Sequence, residues 1–147
     1  MDRPVTSPHD ILNPETLAPP IGFSHAVIAA PGRTVYLGGQ TAHGADGRIV
    51  GDSVAEQFDE ASANVVTALA AAGARPEHLV SMHIYITDIV TYRARLHEMS
   101  AAYERHFGRH YPAMALFEVK GLFDAAAKVE LLCVAVVPEK PSGTALG

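Results

Sequence analysis

The sequence is poor in cysteine, and Cys133 is the only one among its 147 residues. A single cysteine excludes an intrachain disulfide framework and a cysteine-rich metal site. Cys133 lies within the apolar run VELLCVAVV, where a thiol is usually buried and unreactive. We therefore predict an inert cysteine in the core.

Long apolar segments and basic clusters are also missing. No stretch holds the roughly 18 uninterrupted apolar residues typical of a membrane-spanning helix. Residues 1–20 carry acidic residues and prolines where a signal peptide needs a basic start and an apolar centre. Lys and Arg number 11 against 16 Asp and Glu, a net charge of -5, which argues against a groove for nucleic acid. We expect a cytoplasmic protein with no membrane or nucleic-acid partner.

Common catalytic motifs are absent, since the sequence has no glycine-rich phosphate loop and no HExxH, GxSxG or CxxC pattern. The pairs His97 with His106 and His106 with His110 do not place two imidazoles and a carboxylate on one helical face. We therefore expect neither a metal nor a cofactor. His83 lies on the polar face of a predicted strand, either as a site group or, more commonly, as a hydrogen-bonded residue between copies of the chain.

The length and the content of 48% hydrophobic residues predict one globular domain. Residues 1–20 are rich in proline and lack periodicity, so we expect an extended arm there. The domain should span residues 21–137, and residues 138–147 are typical of a flexible tail.

Hydrophobic periodicity predicts the element order β-β-α-β-α-β-β. Pro31-Gly32-Arg33 separates two short apolar runs and predicts a hairpin between the first two strands. Ser53 and Glu56 have the spacing of a capping box and predict the start of a helix that ends at Gly73. Its predicted core stripe comprises Val54, Phe58, Ala61, Val65 and Leu69.

The next predicted strand, within LVSMHIYITD, alternates apolar and polar residues, and its apolar face comprises Val80, Met82, Ile84 and Ile86. A second helix follows, with a predicted core stripe of Leu96, Met99, Tyr103 and Phe107, and ends at Gly108. Two last strands are predicted to form a terminal hairpin. In residues 129–137 both alternating sets of side chains are largely apolar, yet two helices cover only one face of a sheet. We predict that copies of the chain cover the other face.

Two local features suggest a site. Gly38-Gly39-Gln40 closes the second predicted strand, where paired glycines indicate either a close approach to the backbone or a bulge. Glu118 and Glu130 lie in otherwise apolar strands, and a buried carboxylate must be paired, hydrogen-bonded or protonated. Such a group either transfers protons or accepts bonds from a partner subunit, and for Glu118 we favour the second role.

The segments YLGGQT, SMHIYITDI, AAYERHFG, YPAMALFEV and KVELLCVAV occur in order with a characteristic spacing. Over roughly residues 20–137 the chain resembles the YjgF/YER057c/UK114 group, also called the Rid or L-PSP endoribonuclease-like family. The resemblance implies a chorismate mutase-like α+β fold with two helices on one face of the sheet, a homotrimer, and clefts between neighbouring subunits. The best-known members hydrolyse reactive 2-imino and 2-enamino acids to 2-keto acids and ammonia.

The resemblance also implies roles for individual positions. Backbone N–H groups of two residues would face the ligand, a carboxylate would position the attacking water, and an aromatic ring would stand at the cleft mouth. The corresponding residues are Gly39 and Leu116 for the N–H groups, Glu130 for the carboxylate and Phe23 for the ring, with Gly38, Gln40, Met114 and Glu118 as further substrate-binding positions.

Met114 departs from the family's pattern, because the deaminases carry arginine at this position. Guanidinium holds a substrate carboxylate with two charge-assisted hydrogen bonds, whereas a thioether offers no donor. Leaving a desolvated carboxylate unpaired costs about 2–5 kcal/mol. Arg109 and His110 precede the strand and reach the site only if the chain folds back.

The sequence thus favours a Rid-like hydrolase acting on an imine, enamine or related carbonyl compound that is less acidic than a typical 2-imino acid. The alternative is a trimer that binds a small molecule, or regulates through it, without turnover. An endoribonuclease is the least favoured function, since the net charge is -5 and no basic groove is evident.

Overall fold

A computed structural model describes residues 6–139, and helices pack on one face of a four-stranded sheet. The strands are β1 (Asp10–Leu12), β2 (Ala26–Ile28), β3 (Gly32–Tyr36), β4 (Leu79–Ile86), β5 (Ala113–Glu118) and β6 (Val129–Pro138). The helices are α1 (Val54–Ala71), α2 (Ile89–Ala94) and α3 (Leu96–Phe107), with a 3₁₀ turn at Pro76–His78 before β4.

The main sheet has the strand order β3-β6-β4-β5. Strand β4 runs parallel to β5 and antiparallel to β6, and β6 runs antiparallel to β3. Strands β1 and β2 form a separate antiparallel pair. The predicted α+β class is confirmed, whereas residues 1–5 of the predicted arm and residues 140–147 of the predicted tail lie outside the described residues.

The predicted hairpin at Pro31-Gly32-Arg33 is wrong, because β2 pairs with β1 and β3 pairs with β6. The glycine serves a close approach between strands instead. A Cβ atom at Gly32 would overlap the carbonyl oxygen of Val137 on β6. A larger residue would therefore push β3 away from β6.

The predicted terminal hairpin is also wrong. The chain crosses from β5 to the far side of β4, so that β6 lies between β3 and β4 and β5 becomes an edge of the sheet. The helices bury the side of each strand that faces them, which needs no pairing between the two strands, and the other side contributes to the sheet face opposite the helices.

Helix α1 begins as predicted. Ser53 Oγ accepts the N–H of Glu56 at 3.1 Å, and Glu56 Oε1 accepts the N–H of Ser53 at 3.0 Å. The reciprocal bonds satisfy donors that the first turn leaves free. Gly73 has a φ of +74°, which suits glycine just after a helix. The predicted stripe is buried in full, with Val54, Phe58, Ala61, Val65 and Leu69 each at most 5% exposed.

The second predicted helix is interrupted at Arg95 and forms α2 and α3. Asp88 caps α2 through a bond from the Thr91 N–H, and Glu118 Oε1 accepts the Ile89 N–H at 2.9 Å. Helix α3 ends before Gly108, as predicted, and buries Met99, Tyr103 and Phe107, but Leu96 is exposed. The interruption explains why Leu96 leaves the predicted stripe.

Strand β4 has a register irregularity between Leu79 and Ser81. Leu79 is therefore buried in place of Val80, while Met82, Ile84 and Ile86 lie in the core as predicted. Cys133 is buried as well, and burial raises the pKa of its thiol to about 12. The prediction of an inert core cysteine is confirmed.

The sheet face opposite the helices carries apolar side chains on every strand. Tyr36, Phe117 and Leu132 are 80%, 46% and 38% exposed in the isolated chain. His83, Tyr85 and Phe117 form an aromatic group on this face, with Tyr85 and Phe117 stacked at 5.7 Å. Burial of this open face by further copies remains a prediction. None of the helices within residues 6–139 combines the length and apolar character needed to cross a membrane.

Three histidines connect the arm to the start of β4. His9 accepts the N–H of Ala30 at Nδ1 (3.0 Å) and therefore donates from Nε2 to the His78 carbonyl (2.9 Å) as a neutral ring. His110 contacts the Leu79 carbonyl through Nε2 at 2.8 Å. Burial lowers the pKa of His78 and of His110, and nearby Glu77 partly opposes this shift.

We expect the free energy of unfolding to fall as the pH decreases below about 6.5, the pKa of histidine in an unfolded chain. The folded protein holds His78 and His110 neutral, so the unfolded chain binds more protons below that pH. His110→Gln keeps a donor for the Leu79 carbonyl but does not titrate, and it should reduce the pH slope by at most about 1.4 kcal/mol per pH unit. Urea denaturation between pH 5 and 7.5 measures the slope.

The exposed His97 on α3 provides the control, because His97→Gln removes a histidine without changing a buried ring. Equal slopes for the wild type and the His110→Gln variant would contradict the assignment.

Candidate functional site

A bulge lies where β3 ends. The chain advances four residues from Tyr36 to Gln40, but the partner strand advances three between their partners Val134 and Leu131. One extra residue is therefore accommodated on the β3 side, around Gly38 and Gly39. The sequence left open whether the paired glycines mark a bulge or a close approach, and the structure contains both.

The close approach is between Gly39 and the carboxylate of Glu130. A Cβ atom at Gly39 would overlap Glu130 Oε2, whereas a Cβ atom at Gly38 would meet nothing within 4 Å. Among residues 6–139, no backbone acceptor bonds the Gly39 N–H outside the regular ladders. The structure thus brings together a carboxylate and a backbone donor that the sequence singled out separately.

Gln40 and His43 hold the bulge in place. Gln40 pairs with Leu131 through both backbone groups, and its Nε2 donates to the Gly38 carbonyl at 3.2 Å. His43 Nε2 contacts Gln40 Oε1 at 3.1 Å, and Asn64 of α1 donates to the His43 carbonyl at 2.9 Å. His43 and Asn64 were missed at the sequence level, because these contacts arise only when the loop folds back on α1.

A second group of predicted residues lines a cavity on the helix face of the sheet. The cavity has a volume of about 400 Å³ and lies between β5, β4 and the helices. Phe23, Met114 and Leu116 line it, and none of its other lining residues is charged. These others are Ile21, Gly22, Phe58, Ile84, Tyr92, Leu96, Met99, Ser100, Tyr103, Tyr111 and Ala115.

Tyr103 forms the rigid part of the cavity wall. Its hydroxyl donates to the His110 carbonyl at 2.7 Å and contacts Met114 Sδ at 3.9 Å. Its ring stacks on Tyr111, with centroids 5.3 Å apart and planes 12° apart. Burial raises the pKa of Tyr103 and of Tyr92, so both phenols stay neutral at physiological pH.

The backbone N–H of Leu116 points to the free edge of β5. Pro112 accepts the Ser24 N–H at 3.0 Å on the side away from β4, while Val119 donates to Ile86 of β4 at 2.8 Å. Backbone groups of successive residues alternate in direction along a strand. Leu116 is an even number of residues from Pro112 and therefore shares its direction, so its N–H lies at the edge beside the cavity.

The two groups do not meet within one chain. Met114 and Leu116 pack against the helix-face core, whereas Glu130 lies between buried Val129 and Leu131 and thus on the open face. Glu130 is in register with Tyr85 of β4, which is in register with Phe117 of β5. Two strand spacings of about 4.8 Å therefore separate the backbone of Glu130 from β5.

Glu118 is not a buried carboxylate, and that expectation is wrong. It is exposed and accepts the Ile89 N–H at the start of α2, a local cap available at the end of β5. Neither Arg109 nor His110 lines the cavity. The Arg109 side chain is 84% exposed and lies 3.7 Å from Glu104, and His110 is bonded to Leu79. No cationic side chain in residues 6–139 takes the place of the arginine at the cavity wall.

His83 is exposed on the open face, with Nδ1 3.5 Å from the Tyr85 hydroxyl. Within residues 6–139 no three histidine, cysteine, aspartate or glutamate side chains cluster as metal ligands.

Known proteins resemble this chain in sequence. The family model described as Endoribonuclease L-PSP matches residues 14–137. The proteins named 2-iminobutanoate/2-iminopropanoate deaminase from Bos taurus and Homo sapiens are 30% and 28% identical over 115 residues, 78% of this chain and 79% of each relative. Protein MMF1 of Saccharomyces cerevisiae, named as mitochondrial, is 26% identical over 106 residues, 72% of this chain and 70% of the relative.

Two solved structures extend the likeness to three dimensions. YyfB from Yersinia pestis, of the conserved Rid protein family, is 30% identical with a TM-score of 0.79 and covers 88% of this chain and 98% of its own. Rv2704 from Mycobacterium tuberculosis, a member of the YjgF/YER057c/UK114 family, is 31% identical with a TM-score of 0.59, and the match covers 80% of this chain and 88% of that one.

Replacing Tyr103 by phenylalanine should lower the free energy of unfolding by about 1–3 kcal/mol, because the buried His110 carbonyl loses its donor. Tyr36→Phe removes the hydroxyl of a side chain that is 80% exposed and should have an effect below about 0.5 kcal/mol. Urea denaturation of both variants measures the difference. Equal stabilities would show that the Tyr103 hydroxyl does not support the wall.

Proposed function

The chain belongs to the endoribonuclease L-PSP family, also called the Rid or YjgF/YER057c/UK114 family, and we propose that it hydrolyses a small reactive imine or enamine. The products would be a carbonyl compound and ammonia. The names of the bovine and human relatives support this reaction type, since both are imine deaminases.

The contact between Gly39 and Glu130 carries the proposal. A carboxylate that excludes any side chain at residue 39 lies against the backbone of that residue. In the proposed site the Gly39 N–H is the donor beside this acceptor. Water addition to a C=N bond needs these two groups. The donor polarises the bond, and the carboxylate orients water and accepts its proton.

In the proposed reaction Glu130 removes a proton from water while the oxygen forms a bond to the imine carbon. Glu130 passes this proton to the imine nitrogen, which gives a neutral carbinolamine. On collapse Glu130 takes the hydroxyl proton as the C=O bond forms and delivers it to the nitrogen as the C–N bond breaks, so that ammonia leaves and Glu130 is again a carboxylate. An enamine substrate first takes a proton on carbon to become the imine.

A complete site needs two copies of the chain. The Gly39 and Glu130 pair lies toward the β3 side of the open face, and the cavity with the Leu116 N–H lies at the opposite, β5 edge. Joining the β5 edge of one copy to the β3 side of another would place all of these groups around one ligand, in a head-to-tail ring. A homotrimer of the family type has this arrangement, and it would also bury the open face.

The lining of the cavity limits the substrate. Met114 and its neighbours offer no cation for a carboxylate, so the substrate would differ from a typical 2-imino acid. This expectation is consistent with the apolar packing of Met114 against the core.

Binding without turnover is the second candidate function. It is favoured by the cavity being complete within one chain while Glu130 lies on the other face. A ligand that binds equally well to the wild type and to Glu130→Ala, with no turnover by either, would support it.

Gly39→Ala should reduce hydrolysis by about 100-fold, since the new methyl group displaces the Glu130 carboxylate from its position. Glu130→Gln should lose about 100- to 10,000-fold, the usual contribution of a general base. Gly121→Ala is the matched control, because its Cβ also meets nothing within 4 Å and the residue lies outside the site. The assay forms an imine in situ from benzylamine and an amine oxidase, and the initial rate of ammonia release is compared with the rate without the protein. Full activity in Gly39→Ala would contradict the assigned site.

Mixing two inactive variants tests the shared site. Leu116→Pro removes the edge N–H without breaking a bond to β4, and Glu130→Gln removes the carboxylate. The two variants, mixed in equal amounts, unfolded and refolded together, should recover about one quarter of wild-type activity. In a random assembly about one site in four combines an intact Leu116 from one chain with an intact Glu130 from its neighbour. If mixed oligomers, verified by sedimentation, recover no activity, then either the site lies within one chain or the site assignment is wrong.

A further inference from the structure

The helix-face cavity has three properties that together define a class of ligand. They are its volume, the chemistry of its walls, and the single backbone donor at its edge. We propose that it selects an uncharged ligand with a ring-bearing apolar body and one hydrogen-bond acceptor, as in an aryl ketone or aryl imine. The assignment rests on the proposed function, because it takes the hydrogen-bond acceptor of the ligand as the part that reacts.

The volume exceeds that needed for a short aliphatic chain. The cavity measures about 400 Å³. An apolar cavity of about 150 Å³ holds one benzene molecule. A ring with a substituent therefore fits, and a two- or three-carbon ligand would leave much of the space unfilled.

The walls favour a ring. Tyr103 and Tyr111 stack on each other and present fixed aromatic surfaces, and Met114 Sδ lies 3.9 Å from the Tyr103 hydroxyl at the same wall. Aromatic pairs and sulfur–aromatic contacts each add to the gain from apolar burial. Because the Tyr103 hydroxyl is already engaged with His110, this wall does not shift to accommodate a polar ligand.

The lining excludes a negative charge. It contains no Lys, Arg or His, and burial keeps the phenols of Tyr92 and Tyr103 neutral. A carboxylate inside the cavity would lose water without gaining a cationic partner. That loss corresponds to a reduction in affinity of about 30-fold or more.

The free N–H at the β5 edge supplies the polar contact. Leu116 lies in the lining, and its N–H points away from β4 as Pro112 and Val119 establish. A carbonyl oxygen or an imine nitrogen accepts one such bond. The ligand then places its ring in the cavity and its reacting bond at the edge.

Isothermal titration calorimetry with acetophenone and benzoate tests the proposal, because the two molecules have nearly the same shape and differ in charge. Acetophenone should bind the wild type at least about 30-fold more tightly than benzoate. Met114→Arg should reverse the order by adding a cation, and Met114→Leu should retain it. Tighter binding of benzoate to the wild type, or an unchanged order in Met114→Arg, would overturn the proposal.

A pair of tryptophan variants on α3 locates the binding. Ser100 lines the cavity and Ala101 does not, so Ser100→Trp should abolish acetophenone binding while Ala101→Trp retains it. The chain has no tryptophan, so each variant also carries a single fluorescent reporter. If acetophenone still binds to the Ser100→Trp variant and also to the Met114→Arg variant, it binds outside the cavity.

The same measurements separate this proposal from the proposed reaction. Acetophenone binding without imine hydrolysis would reject the reaction and support the ligand class. Hydrolysis of 2-aminoacrylate as fast as by an arginine-bearing relative, without acetophenone binding, would support the reaction and reject the ligand class.

Discussion

The position of β6 between β3 and β4 is the constraint on which the rest of the structure depends. It places Val129, Leu131 and Cys133 under the helices and turns Glu130 to the other face. It also brings the end of β3 close enough for Gln40 to bond Leu131 through both backbone groups. The bulge between this pair and the last pair of β3, Tyr36 with Val134, then presents a glycine to the carboxylate. Because β6 occupies the centre, β5 is left with a free edge, and the Leu116 N–H with it.

Local signals in the sequence predicted local structure well. The capping box at Ser53 and Glu56 and the stripe of α1 are interactions within a few residues, and the structure contains both. The pairing of the strands was harder to predict. Pro31-Gly32-Arg33 has the composition of a turn, and composition alone does not show why a glycine is needed there. Here the reason is a carbonyl on β6, distant in sequence. Glu118 was wrongly predicted to be buried for a similar reason, since its role as an acceptor depends on where α2 begins.

The candidate site was predictable to a different extent. The resemblance to a family identified Gly39, Glu130 and Met114, and the geometry gives the first two a shared physical reason, since a side chain at residue 39 would overlap the carboxylate. The cavity was not predictable from periodicity, because it depends on the register between β4 and β5 and on the break at Arg95. His43 and Asn64 depend on a loop returning to α1. In the proposed reaction, the separation of the two groups on opposite faces would let ligand preference and bond hydrolysis change by independent substitutions.

The free edge of β5 has a consequence for solubility. Unpaired N–H and C=O groups on an edge strand can add a strand from another molecule, which leads to aggregation. Ser24 bridges the edge at Ala113, and the charged Glu118 ends it on the other side, so that only a short stretch is open. Ser24 thus limits the pairing of the β5 edge with other molecules and also lies near the cavity. A substitution that released Ser24 from Ala113 would lengthen the exposed edge of β5. The protein would then tend to precipitate, in addition to any change in ligand binding.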